Sequence, residues 1–216
     1  MRKKAIVTGI SGQDGSYLAE FLIDKGYDVL GILRRHSLPE NQTSRLVNIF
    51  DNPRLTLEYG DVTDFASMLH LIKNNRPEEI YNLAAQSHVN ISFTQPGFTT
   101  NADALGVLNV LEIVKAVSRE TKVYQACSSE MFGNEHDKDG YRRETTLMRP
   151  VSPYGCAKLY GFNLGRVYRS SYDMFVSNGI LFNHESPRRG INFVTNKVID
   201  GAIKIFKGEQ KELALG

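Results

Sequence analysis

The chain has no tryptophan and only two cysteines, Cys127 and Cys156. They lack metal-ligand spacing and have no His pair nearby, which argues against a disulfide-stapled secreted module and against a thiolate zinc site, so no metal is expected. Buried or half-buried thiols are the simpler reading. Long apolar runs are missing as well, and nothing approaches the roughly 20 residues of a bilayer-spanning helix. After Met1-Arg2-Lys3-Lys4 only Ala5, Ile6 and Val7 are apolar before Thr8 and Gly9, too few for a secretory signal. A cytoplasmic location is the expectation. An excess of one charge is also absent: 26 Lys+Arg face 24 Asp+Glu for a net charge of +2, and the basic residues are scattered. Neither a nucleic acid nor an anionic membrane is indicated as partner. With no internal repeat or low-complexity tract, and with 41% hydrophobic and 23% charged residues, the 216 residues read as one large folded domain, or one domain and part of another.

Short apolar runs alternate with longer segments of helical period, the pattern of a parallel sheet covered by helices. Strands are predicted at 4–8, 28–33, 55–59, 79–84, 122–127 and 175–181, and helices at 15–25, 64–75, 98–118, 153–172 and 192–207. The segment 134–150, rich in charge and ending at Pro150, reads as a surface loop. The fold class is α/β: a doubly wound, Rossmann-like parallel sheet with ligand at the carboxyl ends of its strands. Leu213-Ala214-Leu215-Gly216 looks like the start of a further strand, from which a natural protein that continues past Gly216 is expected.

The first strand runs into Thr8-Gly9-Ile10-Ser11-Gly12-Gln13-Asp14-Gly15. Glycines let the backbone approach a pyrophosphate, and the following helix offers free N–H groups and the positive end of its dipole. Where a site selective for NAD carries an acid, at the end of the second strand, this chain has Arg34 and Arg35. Two guanidinium groups there suit a 2′-phosphate and favour NADP. Asp61, just past the third strand, is placed to accept from an adenine amino group. Leu83-Ala84-Ala85-Gln86-Ser87 ends the fourth strand with small residues where a cofactor backbone would pass.

Tyr154 and Lys158 stand four apart, on one helix face. A cation beside a phenol stabilises its anion, which can accept a proton from a sugar hydroxyl while hydride departs. Ser128, at the end of the fifth strand, can hydrogen-bond the same hydroxyl. Glu130 lies two residues on, and a carboxyl there can remove one proton and donate another, work that hydride transfer alone does not need. The competing structural role for Glu130 is a strand-end cap or an ion pair with Arg142 or Arg143.

With these residues assembled, the chain resembles the extended short-chain dehydrogenase/reductases and, within them, the GDP-mannose 4,6-dehydratase family. The resemblance runs over essentially the whole chain and is most specific in VTGISGQDGSYLAEFL, YNLAAQSHV, ACSSEMFG, SPYGCAKLYG and NGILFNHESPRRG followed by FVTNK. It implies an NADP-binding domain over 1–182 that carries the catalytic set Ser128, Glu130, Tyr154 and Lys158, and the start of a smaller substrate-binding lobe over 183–216. It implies cofactor contacts from Gly9, Ile10, Ser11, Gly12, Gln13, Asp14 and Gly15, from Arg34, Arg35, Asp61 and Val62, and from Leu83, Ala84, Ala85, Gln86 and Ser87. Phe98, Tyr154, Lys158, His184 and Arg189 complete that set. Ser87, Ser128, Glu130, Asn183 and Lys197 would meet the GDP-sugar, Lys197 through its diphosphate. Ser128 stands where the family commonly has Thr, and Phe98 where Tyr is usual.

The reaction implied is conversion of GDP-mannose to GDP-4-keto-6-deoxymannose, by oxidation at C4, loss of water across C5 and C6, and return of hydride to C6. Other readings stay open: a GDP-manno-heptose as substrate, nucleotide-sugar epimerisation, or a noncatalytic NADP-binding module. Relatives make a subunit contact near the segment 34–45, which implies a homo-oligomer, dimer or tetramer.

Overall fold

A computed structural model describes residues 2–37 and 42–214. Of the segment 34–45, residues 38–41 therefore lie outside the described residues, as do Leu215 and Gly216. Six strands form one sheet: β1 (Lys4–Thr8), β2 (Asp28–Leu33), β3 (Leu55–Tyr59), β4 (Glu79–Asn82), β5 (Lys122–Ser128) and β6 (Val176–Leu181). The order is β3-β2-β1-β4-β5-β6, and every neighbouring pair is parallel. The order reverses between β1 and β4, where Thr8 lies level with Asn82. That reversal opens a crevice at the carboxyl edge, the usual ligand position in such sheets.

Alternation along the strands builds a core on each face. Ile6, Leu30, Ile32, Ile80 and Val123 pack on one side with Met68 and Leu71 of α2 (Phe65–Asn75) and with Val110, Leu111 and Val114 of a later helix. Ala5, Val7, Val29 and Leu33 face the other way, against Ala19, Leu22 and Ile23 of α1 (Gln13–Asp24). Burying each large aliphatic side chain contributes about 1.5–3 kcal/mol. Gly31 of β2 is demanded by packing, because a Cβ there would come 2.2 Å from Ile10 Cδ1. Asp64 caps α2 by accepting from the Ala66 N–H at 3.1 Å, and the helix ends at Arg76 in a left-handed conformation before Pro77.

The stretch expected as one helix over 98–118 is helical without a gap to Val117 but contains a π turn. It comprises α4 (Pro96–Thr100), a π-helical turn (Asn101–Leu105) and α5 (Gly106–Val117), preceded by α3 (Val89–Thr94), which the sequence did not announce. β4 ends at Asn82 rather than at position 84, because the Leu83 and Ala84 N–H groups turn to the Thr8 hydroxyl, at 3.0 Å each, instead of continuing the ladder. After β5 comes a 3-10 turn, Ser129–Phe132, then the irregular segment through position 151, then α6 (Pro153–Tyr172).

The chain divides into two compact units, Met1–Phe182 and Asn183–Gly216. The second holds α7 (Val194–Phe206), which starts and ends close to the expected 192–207. Within it Arg189 stacks on Phe193 at 4.1 Å and donates to the His184 carbonyl at 2.9 Å. Of the strand expected from Leu213, Leu213 and Ala214 have no strand partner among the described residues, and Leu215 and Gly216 lie outside them. Leu213 instead packs its side chain on Gly201 of α7. No described helix is long and apolar enough to cross a membrane.

Candidate active site

Segments of the first unit that follow β1, β2, β3, β4 and β5, together with the start of α6, carry most of the residues singled out by sequence. The glycine turn after β1 is set by steric needs: Gly9 has a φ of +66°, and a Cβ at Gly15 would lie 2.3 Å from the Gly9 carbonyl oxygen. Gly12 is the N-cap of α1 and makes no side-chain cap hydrogen bond. A Cβ there would meet only the Gly9 carbonyl oxygen, at 3.1 Å, so the turn is open on that side. An uncapped helix start behind a bare backbone fits a pyrophosphate.

After β2, Arg34 lies over the Phe98 ring at 5.6 Å and Arg35 over the Tyr59 ring at 5.8 Å. Arg35, His36, Ser37 and Tyr59 line an open hollow of about 530 Å³. Arg45 donates to the Ser11 carbonyl at 3.2 Å, tying this region to the glycine turn. Asp61 is partly committed, its Oδ1 accepting from the N–H and the hydroxyl of Thr63 at 2.9 and 2.8 Å. Val62 is buried, and its carbonyl accepts from Asn109 at 2.9 Å.

After β4, the Gln86 side chain is consumed by its own loop. It accepts from His88 N–H at 2.8 Å and donates to the His88 carbonyl and the Thr99 hydroxyl at 3.0 and 3.1 Å. A row of buried polar side chains crosses the strand ends: Thr8 donates to Asn82, and Asn82 to Gln125, each at 2.8 Å. Gln125 then donates to the Ala126 carbonyl at 3.0 Å.

That carbonyl also receives the Lys158 ammonium at 3.2 Å. Ser152 caps α6 by accepting from the Gly155 N–H at 3.0 Å, and Pro153 follows in the first turn. Tyr154 and Lys158 share a helix face, with Nζ 5.6 Å from the ring centroid, and both are buried. Burial pulls the lysine down, but Tyr154, Asp103 and Cys127 around it outweigh this and its net direction is up. The ammonium is the resident form at neutral pH.

Ser128 closes β5, its Oγ accepting from the Glu130 N–H at 3.2 Å, which leaves the hydroxyl proton for another acceptor. Glu130 is half-buried on the 3-10 turn. Neither suggested ion pair forms. Arg143 is held by Asp137 at 2.7 Å and Asp139 at 2.6 Å, while Arg142 donates to the Glu135 and Gly133 carbonyls at 2.9 Å each. The Glu130 carboxylate has no ion-pair partner among the described residues. The structure thus brings Ser128, Glu130, Tyr154 and Lys158 to one strand end and the adjoining helix start. Asn183, His184, Arg189 and Lys197 belong to the second unit.

Sequence reasoning missed Asp103, an acid 1% exposed on the π-helical turn. A charged residue inside the apolar run Ala102-Asp103-Ala104-Leu105 was the available signal. No group of three or more His, Cys, Asp or Glu suited to a metal occurs among the described residues.

A model of the family "GDP-mannose 4,6 dehydratase" matches residues 6–216. A GDP-mannose 4,6-dehydratase of Vibrio cholerae is 47% identical over 223 residues, covering 100% of this chain and 59% of the relative. The human GDP-mannose 4,6 dehydratase is 46% identical, with the same two coverages. The chain thus spans about three fifths of the length of these curated relatives. Among solved structures, a dTDP-glucose 4,6-dehydratase from Streptomyces venezuelae with NAD bound superposes with a TM-score of 0.81 at 20% identity, over 95% of this chain and 62% of that one. A UDP-glucose 4-epimerase from Thermus thermophilus in complex with NAD gives 0.80 at 23%, over 95% and 63%. These two likenesses show the fold.

Proposed function

Because the chain belongs to the GDP-mannose 4,6-dehydratase family, we propose that it carries the cofactor-binding and proton-transfer part of an enzyme that removes water from GDP-mannose. The observation that carries this reading is the uncommitted Glu130 carboxylate beside Ser128, with both neighbouring arginines engaged elsewhere. Epimerisation has no use for such a group.

A nicotinamide dinucleotide on the glycine turn would supply the hydride acceptor at C4 and the hydride donor at C6, ending unchanged. Arg34 and Arg35 favour the form with a 2′-phosphate, NADP. The protein's own groups do the proton work. Tyr154, as the anion stabilised by Lys158, takes the C4 hydroxyl proton, while the Ser128 hydroxyl donates to the same oxygen and orients it. Oxidation at C4 makes the C5 proton acidic. Glu130 removes that proton and, now a carboxylic acid, delivers it to the C6 hydroxyl, which leaves as water. By the resemblance, His184 and Arg189 would add cofactor contacts and Asn183 and Lys197 would hold the nucleotide sugar. Family membership also favours a homo-oligomer.

The test is mass spectrometry of the nucleotide sugar after incubation of the protein with GDP-mannose and catalytic NADP⁺. Loss of one water without accumulation of NADPH is expected, and Glu130→Gln should bind cofactor normally yet form no dehydrated product. Full activity in that variant would remove Glu130 from the mechanism. An unchanged hexose but a dehydrated heptose would replace the substrate.

A further inference from the structure

Asp103 carries a charge that none of the steps above uses. Its Oδ1 accepts from the Gln86 N–H at 2.7 Å, which pins the loop after β4 to the π-helical turn. Its Oδ2 is buried and has no hydrogen-bond donor among the described residues. A hidden carboxylate oxygen without a donor is costly unless a cation compensates. The compensating charge is Lys158, 4% exposed on α6, the helix that packs against this turn, where a Cβ at Gly161 would lie 3.7 Å from the Asp103 carbonyl oxygen; the two charges attract. The residue sits on a π turn, a rare geometry that inserts an extra residue into a helix and recurs at functional sites. Here it divides α4 from α5 at the point where the acid turns inward.

The groups around this pair come from three elements besides the π turn. Tyr154 faces Lys158 from α6, and Cys127 faces it from β5 with its thiol pushed up to about 12 by burial, hence neutral. The Gln86 N–H and the Ala126 carbonyl supply the remaining polar contacts. Burial lifts Asp103 to about 6, against the pull of Lys158 and the Gln86 N–H, so it is a carboxylate at neutral pH and takes up a proton in mild acid.

We propose that Asp103 is a positioning residue for proton transfer: buried on the turn that packs against α6, it keeps Lys158 charged and in place against Tyr154. The proposal rests on reading Tyr154 and Lys158 as the proton-transfer pair, and its test needs no turnover. The ¹³Cε resonance of Lys158, assigned by its loss in Lys158→Met, is followed against pH in the protein without substrate. In the unsubstituted protein it should show a small inflection near pH 6 as Asp103 ionises and stay ammonium-like into strongly alkaline solution. Asp103→Asn keeps an acceptor for the Gln86 N–H but drops the charge. It should abolish the inflection and bring lysine deprotonation to lower pH.

A purely structural Asp103 would leave both features unmoved in the Asn variant, and that result overturns the proposal. If Asp103→Asn does not fold, Asp103→Glu decides: an inflection that moves in pH with the longer side chain supports Asp103 as its source, and an inflection left where it was overturns the assignment. Should the titration behave as stated while no GDP-sugar is turned over, the dehydratase reading fails and the Asp103–Lys158 coupling stands.

Discussion

Replacing Gly155 with alanine tests whether the start of α6 must lie tight against the turn that carries Glu130. A Cβ at this position would stand 2.7 Å from the Glu130 carbonyl oxygen, 2.9 Å from Pro150 Cβ and 3.2 Å from Ser152 Oγ. The first obstacle is backbone, so relief requires moving the helix start and the 3-10 turn apart by about 0.7 Å to reach ordinary contact at 3.4 Å. Overpacking of this kind costs about 1–3 kcal/mol. Alanine's better helix propensity returns at most about 1 kcal/mol. The net destabilisation is therefore about 1 kcal/mol, or roughly 2–4 °C in Tm for a chain of this size. Activity should suffer far more, because the shift separates Tyr154 from Glu130, and a misplacement approaching 1 Å at reacting groups costs about 100-fold. Calorimetry and the rate of water loss from GDP-mannose measure the two quantities. Gly97→Ala is the control, since a Cβ there meets nothing within 4 Å. A Gly155→Ala protein with turnover within about twofold of the original would refute the claim that the contact positions the two groups.

Two other predictions follow from the same geometry. Arg35→Ala, and separately Arg34→Ala, should weaken NADP binding about 10- to 100-fold, as expected for one charge-assisted hydrogen bond, and leave NAD binding unchanged by titration calorimetry. Equal losses for the two dinucleotides would show that the arginines do not read the 2′-phosphate. The segment after the 3-10 turn should be clasped at neutral pH and release only in acid. Hydrogen bonds from Arg143 hold the Asp137 and Asp139 carboxyls below their ordinary range. Their contribution is fully present above the unfolded value near pH 4 and is lost as pH falls through the lower folded values. Amide exchange over residues 137–146 should be constant from about pH 5 to 8 once corrected for intrinsic rates, and Arg143→Gln should raise it at neutral pH. Unaltered protection in that variant would show the clasp to be idle.

Much of this architecture was legible because the signals are local. Six apolar runs, all but the second followed by a segment of helical period, match the six strands to within two residues at either end. The 153–172 helix matches at both ends, since Ser152 and Pro153 mark its start and Asp173 its left-handed stop. What failed failed for non-local reasons. β4 stops early because Thr8, on a neighbouring strand, takes the N–H groups of Leu83 and Ala84. The helix expected over 98–118 does form, and only its π turn at Asn101–Leu105 carries no signal in the 3.6-residue period.

The sequence by itself determined the glycine turn, the pair of arginines after β2 and the Tyr154/Lys158 face, because each is a spacing along one strand end or one helix. The tertiary structure alone decided which charges meet. Arg142 and Arg143, the partners the sequence suggested for Glu130, are taken by carbonyls and by Asp137 and Asp139. Lys158 finds its compensating acid on a different helix. Periodicity is a property of neighbours in the chain, whereas the field at a buried ionisable group is summed over neighbours in space, and those are chosen only when the sheet and its helices close.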